Sequence, residues 1–438
     1  MKFQASYLIL VTSLSPKHRK KRFVSLSTPT FSYLHHVLHC ILRLIRITPA
    51  KIQPHTTPLL LTKIVVNSQY IYCSCQNGAQ HVLKDEILSV WPAFRLAFSR
   101  PGFVTFKVPG DFPASSLPTL NLKSTFARTS GIGLGKITND DQTEIIQQLV
   151  AELPLEQLPP LKHVHVWQRD PVLPGNRDFE PGRNELADKI AAEIAQKLQS
   201  TNPSIDTSTE SLASANRIAK ADEAILDVIM VEPNQWWFGW HQATTTVSRW
   251  PGGIYSIRLP EHAVSRAYLK MTEALQWARL PIAEQDIVAE IGSAPGGSSQ
   301  VLLENDFQVI GIDPAQMHAS LLEHPKFTHV RKKVADMRRS GFNNIKWIMS
   351  DVSATPNYTL DSVEHIVTRD DVNIRGMLLT LKLTKWELVK ELPQYLDRIR
   401  SWGYQYIRTR QLAFNRREIC VAVMKSRAIR RIKRRRKK

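Results

Sequence analysis

The segment Ala289–Glu304, AEIGSAPGGSSQVLLE, constrains the fold more than any other part of the chain. A strand-like run ends at Ile291. Gly292, Gly296 and Gly297 then mark a sharp turn, and a helix-like run follows. Glycine serves where the backbone turns tightly or a ligand lies against it. DFQVIGID supplies a second strand, and IKWIMSD, IRGMLLTLKL and ICVAVM supply more, with a helix expected over Lys385–Trp402. Strands that alternate with helices from Trp250 to Met424 predict an α/β, doubly wound, mostly parallel sheet. Its ligand is expected at the strand C-terminal ends.

The spacing G-x-x-P-G-G is not the dinucleotide pattern G-x-G-x-x-G, and no Gly-Lys-Ser/Thr follows it, so nicotinamide and phosphate-loop readings are weak. Asp313 ends the second strand, where a carboxylate typically accepts hydrogen bonds from ribose hydroxyls. Asp336, in KVADM, sits at the next turn, in reach of an adenine amino group. Glu290-x-Gly292-x-x-Pro295-Gly296-Gly297 followed by such an Asp is similar to the pattern of class I methyltransferases, whose domain is Rossmann-like. That likeness implies S-adenosylmethionine as cofactor, held by Gly292, Ala294, Pro295, Gly296, Gly297, Asp313, Asp336 and Asp351.

Four polar residues fall where packing alone would not choose them. Lys270 lies in SRAYLKMTEAL, before the sheet. Asp351 ends IKWIMSD, Lys382 ends MLLTLK, and Glu418 precedes the final strand. Two Lys with an Asp and a Glu form a self-neutralising set, so burial is tolerable. A hydroxyl is a weak nucleophile until its proton is drawn away, and a neutral Lys382 is able to draw it. Lys270 would lower the Lys382 pKa while Asp351 and Glu418 would raise it, and the sequence leaves that balance open. Structural ion pairing is the competing reading for any one of the four; as a set beside the glycine turn they read as catalytic.

The formal charge is +19, but it sits at the ends. Residues 1–63 and 425–438 each carry ten Lys/Arg and no acid, leaving residues 64–424 at −1. The tail Lys425–Lys438 is too charged to bury a face; it is expected to neutralise RNA phosphates, the alternative being a solvated tail. Residues 1–63 are compatible with a disordered extension, an organelle-targeting segment or a gene-model artefact. No run of about 18 apolar residues exists, so no membrane span is expected. Cys40, Cys73, Cys75 and Cys420 are too few and scattered for a disulfide framework or a metal site, which fits a reducing cytoplasm.

Between these ends two units precede the sheet domain. Residues 64–120 read as a small α+β domain: a strand to Cys75, a helix burying Val82, Ile87 and Val90, and an alternating strand Phe103–Val108. Residues 121–247 add the strand Lys162–Arg169, a helix with Leu186, Ile190, Ile194 and Leu198 in an i, i+4 series, and two strands around a Pro-Asn turn. Trp236, Trp237 and Trp240 either pack or stack on RNA bases.

The set Lys270, Asp351, Lys382 and Glu418 resembles the Lys-Asp-Lys-Glu pattern of the FtsJ-type ribose 2′-O-methyltransferases. Ser248–Leu275 and RQLAFNRREICVAV resemble the RlmM group of that family, which methylates a cytidine ribose in 23S rRNA. The resemblance covers about Ser248–Val423, placing the methyltransferase domain at 248–424. It implies that residues 64–247 are a ferredoxin-like and THUMP-type RNA-binding region, and that 23S rRNA is the partner. Three residues depart from the family pattern: Ser298 replaces an aromatic after P-G-G, Thr384 and Lys385 stand where a proline follows the second lysine, and Ala267 replaces a serine. A divergent RNA-binding or ribosome-assembly factor that keeps the fold with weak or no activity is the alternative. A base methyltransferase would need an Asn/Asp-Pro-Pro-aromatic motif or a catalytic Cys, whereas Val-Ser follows Asp351.

Overall fold

The computed structural model describes residues 70–112, 116, 117, 120, 122–201, 215–337 and 339–426. Residues 1–63 and most of the basic tail lie outside them. The first sheet contains β1 (Tyr70–Ser74), β2 (Arg95–Arg100), β3 (Phe103–Lys107), β4 (Thr129–Thr138), β5 (Leu161–Gln168), β6 (Ala224–Glu232) and β7 (Gln235–Gln242), in the order β2-β3-β1-β4-β7-β6-β5. Strand β1 pairs antiparallel with β4, so one sheet runs across residue 120 and joins the two units read from the sequence. Helices α1 (Gln80–Val90), α2 (Gln142–Glu152) and α3 (Glu185–Thr201) bury Leu83, Ile146 and Ile194 in the same core as Val164, Val228 and Trp240.

Some helix faces differ from expectation. Leu186 is 49% exposed, and α3 buries Ala187, Ile190, Ala191, Ile194, Ala195 and Leu198 instead. A strict i, i+4 row drifts about 40° per step on a helix of 3.6 residues per turn, which carries its first member off the face. Val90 shares a face with the buried Leu83 and is nevertheless 42% exposed, because it is the last residue of α1, where the helix ends. Phe103–Phe106 are all buried because both faces of the strand are covered: Val104 and Phe106 by the helix-side core, Phe103 by Tyr72 and Trp237. Trp236 and Trp240 are buried, and Trp237 packs at 4.9 Å between ring centroids on Phe98, so the tryptophans serve packing.

The second sheet holds β8 (Ile287–Ile291), β9 (Gln308–Ile312), β10 (Phe327–Val330), β11 (Trp347–Ser350), β12 (Gly376–Lys382), β13 (Tyr406–Arg410) and β14 (Glu418–Met424), in the order β10-β9-β8-β11-β12-β14-β13. Strands β8 to β12 pair in parallel and β14 pairs antiparallel to β12. Helices α4 (Ala267–Ala278), α5 (Gly297–Glu304), α6 (Ala319–Leu322), α7 (Pro356–Val367) and α8 (Leu392–Ser401) accompany them. The single helix expected over Lys385–Trp402 is a 3₁₀ turn, Trp386–Glu391, followed by α8. Pro393 lacks an N–H and is tolerated only in a first turn, which sets the break. Glu418 is the first residue of β14 rather than preceding it. The strand order reverses at β8, between β9 and β11, the place where an open α/β sheet leaves a crevice. No helix among the described residues is long and apolar enough to cross a membrane.

Candidate active site

Gly292, Asp313 and Asp351 each follow directly on the C-terminal end of one of the three strands around the crevice, β8, β9 and β11. The turn between β8 and α5 is packed from outside by protein. A Cβ on Gly296 would fall 1.8 Å from Leu321 Cδ1, and one on Gly297 would fall 2.2 Å from Ser265 Oγ. Ala294 and Pro295 are joined by a cis peptide. Asp313 ties the turn to the second strand: Oδ2 accepts from Ala294 N at 3.2 Å and Oδ1 from Ala315 N at 2.8 Å. Each oxygen keeps acceptor capacity for a further donor. The hydroxyl of Ser350, buried at the end of β11, has no hydrogen-bond partner among the described residues. Asp336 stands exposed in the 3₁₀ turn Val334–Asp336. No described contact joins it to the turn or to the polar cluster.

The four expected polar residues come from separate elements. Lys270 projects from α4, Asp351 follows β11, and Lys382 and Glu418 are opposite one another on β12 and β14. Lys270 Nζ lies 2.8 Å from Glu418 Oε2 and 3.5 Å from Asp351 Oδ2. Lys382 Nζ donates to Ser353 Oγ at 3.2 Å. Among the described residues no carboxylate lies within ion-pairing distance of it.

The two lysines therefore differ in electrostatics. Burial works against the Lys270 charge, but the carboxylates of Asp351 and Glu418 outweigh it and hold the pKa above the usual lysine value. Lys270 is a fixed cation. Burial raises the pKa of Asp351, with Glu418 adding to the rise and Lys270 and Lys382 opposing it. The arrangement offers a cation clamped between two carboxylates, and a second amine outside the clamp, bound to Ser353.

Residues 263–430 match the family model described as FtsJ-like methyltransferase. This segment is an FtsJ-like methyltransferase domain. Ribosomal RNA large subunit methyltransferase M of Halorhodospira halophila is 29% identical over 178 residues, 39% of this chain and 50% of that protein. Its namesake in Hahella chejuensis is 23% identical over 252 residues, 55% of this chain and 60% of that one. The chain thus spans about half the length of the curated relatives it matches. TrmN from Thermus thermophilus, a solved structure, covers 81% of this chain and 99% of its own at 12% identity and a TM-score of 0.32.

Residues outside the expected site set also lie beside it. Glu290, on β8, is buried; its pKa is pushed up to about 8 by burial, with Asp351 and Asp313 adding to the rise and the hydroxyls of Ser299 and Ser298 opposing it. Its place in the Glu-x-Gly motif was the available signal. Ser353 was visible only as the residue two after Asp351. The departures Ser298 and Ala267 meet each other: Ser298 Oγ donates to the Ala267 carbonyl at 3.4 Å, joining α5 to α4.

Proposed function

We propose that the chain is an S-adenosylmethionine-dependent ribose 2′-O-methyltransferase acting on large-subunit rRNA. The observation that carries this reading is the convergence of Lys270, Asp351, Lys382 and Glu418 beside the glycine turn at the strand ends. The residues fit the cofactor. The remaining acceptor capacity of Asp313, directly after β9, suits ribose hydroxyls, and the buried Ser350 hydroxyl at the end of β11 is an orphaned polar group that a ligand in the crevice would satisfy. Asp351 would border the cofactor as well as the clamp, and Asp336 is retained as an adenine contact. When bound, S-adenosylmethionine supplies an electrophilic methyl group.

The chain's own residues then have two tasks. The ribose hydroxyl must be oriented, which Lys270 and its carboxylates do as a fixed electrostatic frame. Its proton must be taken, for which Lys382 is the candidate, because Lys270 is held as a cation between two carboxylates. A side-chain amine suits a hydroxyl nucleophile and needs neither a metal nor a catalytic thiol.

The relatives named ribosomal RNA large subunit methyltransferase M support large-subunit rRNA as the substrate, and the resemblance of Ser248–Leu275 to the RlmM group extends this to a cytidine ribose of 23S rRNA. Residues 64–120 and 121–247 would grip structured RNA, with the tail after Lys425 adding phosphate contacts. The setting would be wherever ribosomes are assembled, the cytoplasm or an organelle. Mapping 2′-O-methyl positions in rRNA from cells with and without the protein tests the reading: one large-subunit ribose should lose its methyl group, and an unchanged map contradicts it.

A further inference from the structure

The loop Gln411–Arg417 leads from β13 straight into Glu418, and it is buried from Gln411 through Asn415. A buried loop must satisfy its backbone groups internally. Here partners come from both sides. From the catalytic domain, the fully buried Glu273 on α4 accepts Ala413 N at 2.8 Å and Phe414 N at 3.0 Å. From the first sheet and its connections, Gln76 donates to the Asn415 carbonyl and accepts Gln411 Nε2 at 2.8 Å. Gln411 N donates to the Thr125 carbonyl at 2.8 Å, and Arg128 Nη2 to the Ala413 carbonyl at 3.3 Å. Arg128 is itself fixed by a buried ion pair with Asp170 at 2.6 Å.

Glu273 and Lys270 are three residues apart on one helix, so they share a face and move together. Lys270 holds Glu418 at 2.8 Å, and Glu418 begins the strand that the loop feeds. The result is a closed ring: Lys270, Glu418, loop 411–417, Glu273 and back to Lys270 through one turn of helix. Gln76 closes it from outside.

We infer that Glu273 and Gln76 are positioning residues, which fix the loop 411–417 and through it the place of Glu418 against Lys270. The first sheet thereby completes the active site as well as flanking it. This rests on the tetrad being the site of methyl transfer. A misplacement of about 1 Å in such a frame costs on the order of 10²-fold in rate.

The test uses the full chain with Glu273→Gln, which keeps one acceptor, and Gln76→Ala, which frees the loop from the other side. Tryptophan fluorescence and thermal melting select folded variants. Steady-state methyl transfer to unmodified 23S rRNA is measured alongside acetylation of Lys270 by an N-hydroxysuccinimide ester, read by mass spectrometry. The expected result is roughly a 10–100-fold loss of kcat with KM for RNA and cofactor affinity nearly unchanged, together with faster Lys270 acetylation as Glu418 loosens. Wild-type kcat in a folded variant, or a loss without any change in Lys270 acetylation, overturns the inference. If the wild-type chain transfers no methyl group, the proposed function fails, while the acetylation rate alone still decides whether Glu273 and Gln76 hold the ring.

Discussion

Lys382 and Glu418 are register partners at the end of the β12–β14 ladder, and Lys270 reaches Glu418 from a different element, at 2.8 Å. Two groups placed by backbone pairing and one placed by helix packing meet at the crevice. Ladder register sets the first two to within a residue, because a slip of one would turn one of the two side chains to the opposite face from the other. Lys270 depends instead on how closely α4 lies on α5, which the close approach of Gly297 to Ser265 sets.

Cofactor affinity should depend on Asp313. Asp313→Ala removes an acceptor for ribose hydroxyls and also releases the N–H groups of Ala294 and Ala315. Hydrogen bonds to a charged group contribute about 1.5–3 kcal/mol, so calorimetry should show S-adenosylmethionine binding weakened roughly 10–150-fold. Undiminished binding would remove Asp313 from the site.

Stability should fall with rising pH through Glu290. Its folded pKa of about 8 lies above the usual carboxyl value, so between about pH 4.5 and 8 the folded chain keeps a proton that the unfolded chain has lost. Below that window both states are protonated and there is no penalty; above it the penalty is complete, on the order of a few kcal/mol. Glu290→Gln should flatten this fall in denaturant titrations at pH 5, 6.5 and 8. Equal pH slopes in the variant and the wild type would show that the carboxyl titrates normally.

Deleting residues 427–438 should weaken RNA binding and lower its salt dependence. Every phosphate that the tail no longer neutralises reduces the log–log slope by about 0.7–0.9. The fold should persist, because the described core ends with β14. Filter binding across a salt series checks this, and an unchanged slope would mean that the tail does not touch RNA.

Much of the catalytic domain was legible because its signals are local: apolar runs, a glycine turn, and polar residues at the ends of those runs. Strand β4 was not, because TSGIGLGKIT carries three glycines that read as a breaker. Two of them admit neighbours: a Cβ on Gly131 would fall 2.4 Å from the Tyr72 hydroxyl, and one on Gly135 would fall 2.7 Å from the Phe238 ring. Strand β13, YIRTR, hid behind its arginines, which reach back to the carbonyls of Ala278 and Arg128. Glu273 looked like one more polar residue on an amphipathic helix. Its role lies in backbone groups 140 residues away, which no local pattern encodes. The clamp on Lys270 was likewise beyond reach: the sequence supplied the four residues, but not which lysine the carboxylates would hold.

That division between the lysines is the central claim, and Lys382 is where it is tested most directly. Radiolabelled methyl transfer to unmodified 23S rRNA should be lost in Lys382→Ala by at least the roughly 10²–10⁴-fold that a general base contributes, while cofactor binding stays near wild type. Lys382→Arg should not restore it, because a guanidinium stays protonated. Wild-type-like turnover in Lys382→Ala, or rescue by arginine, would contradict the account.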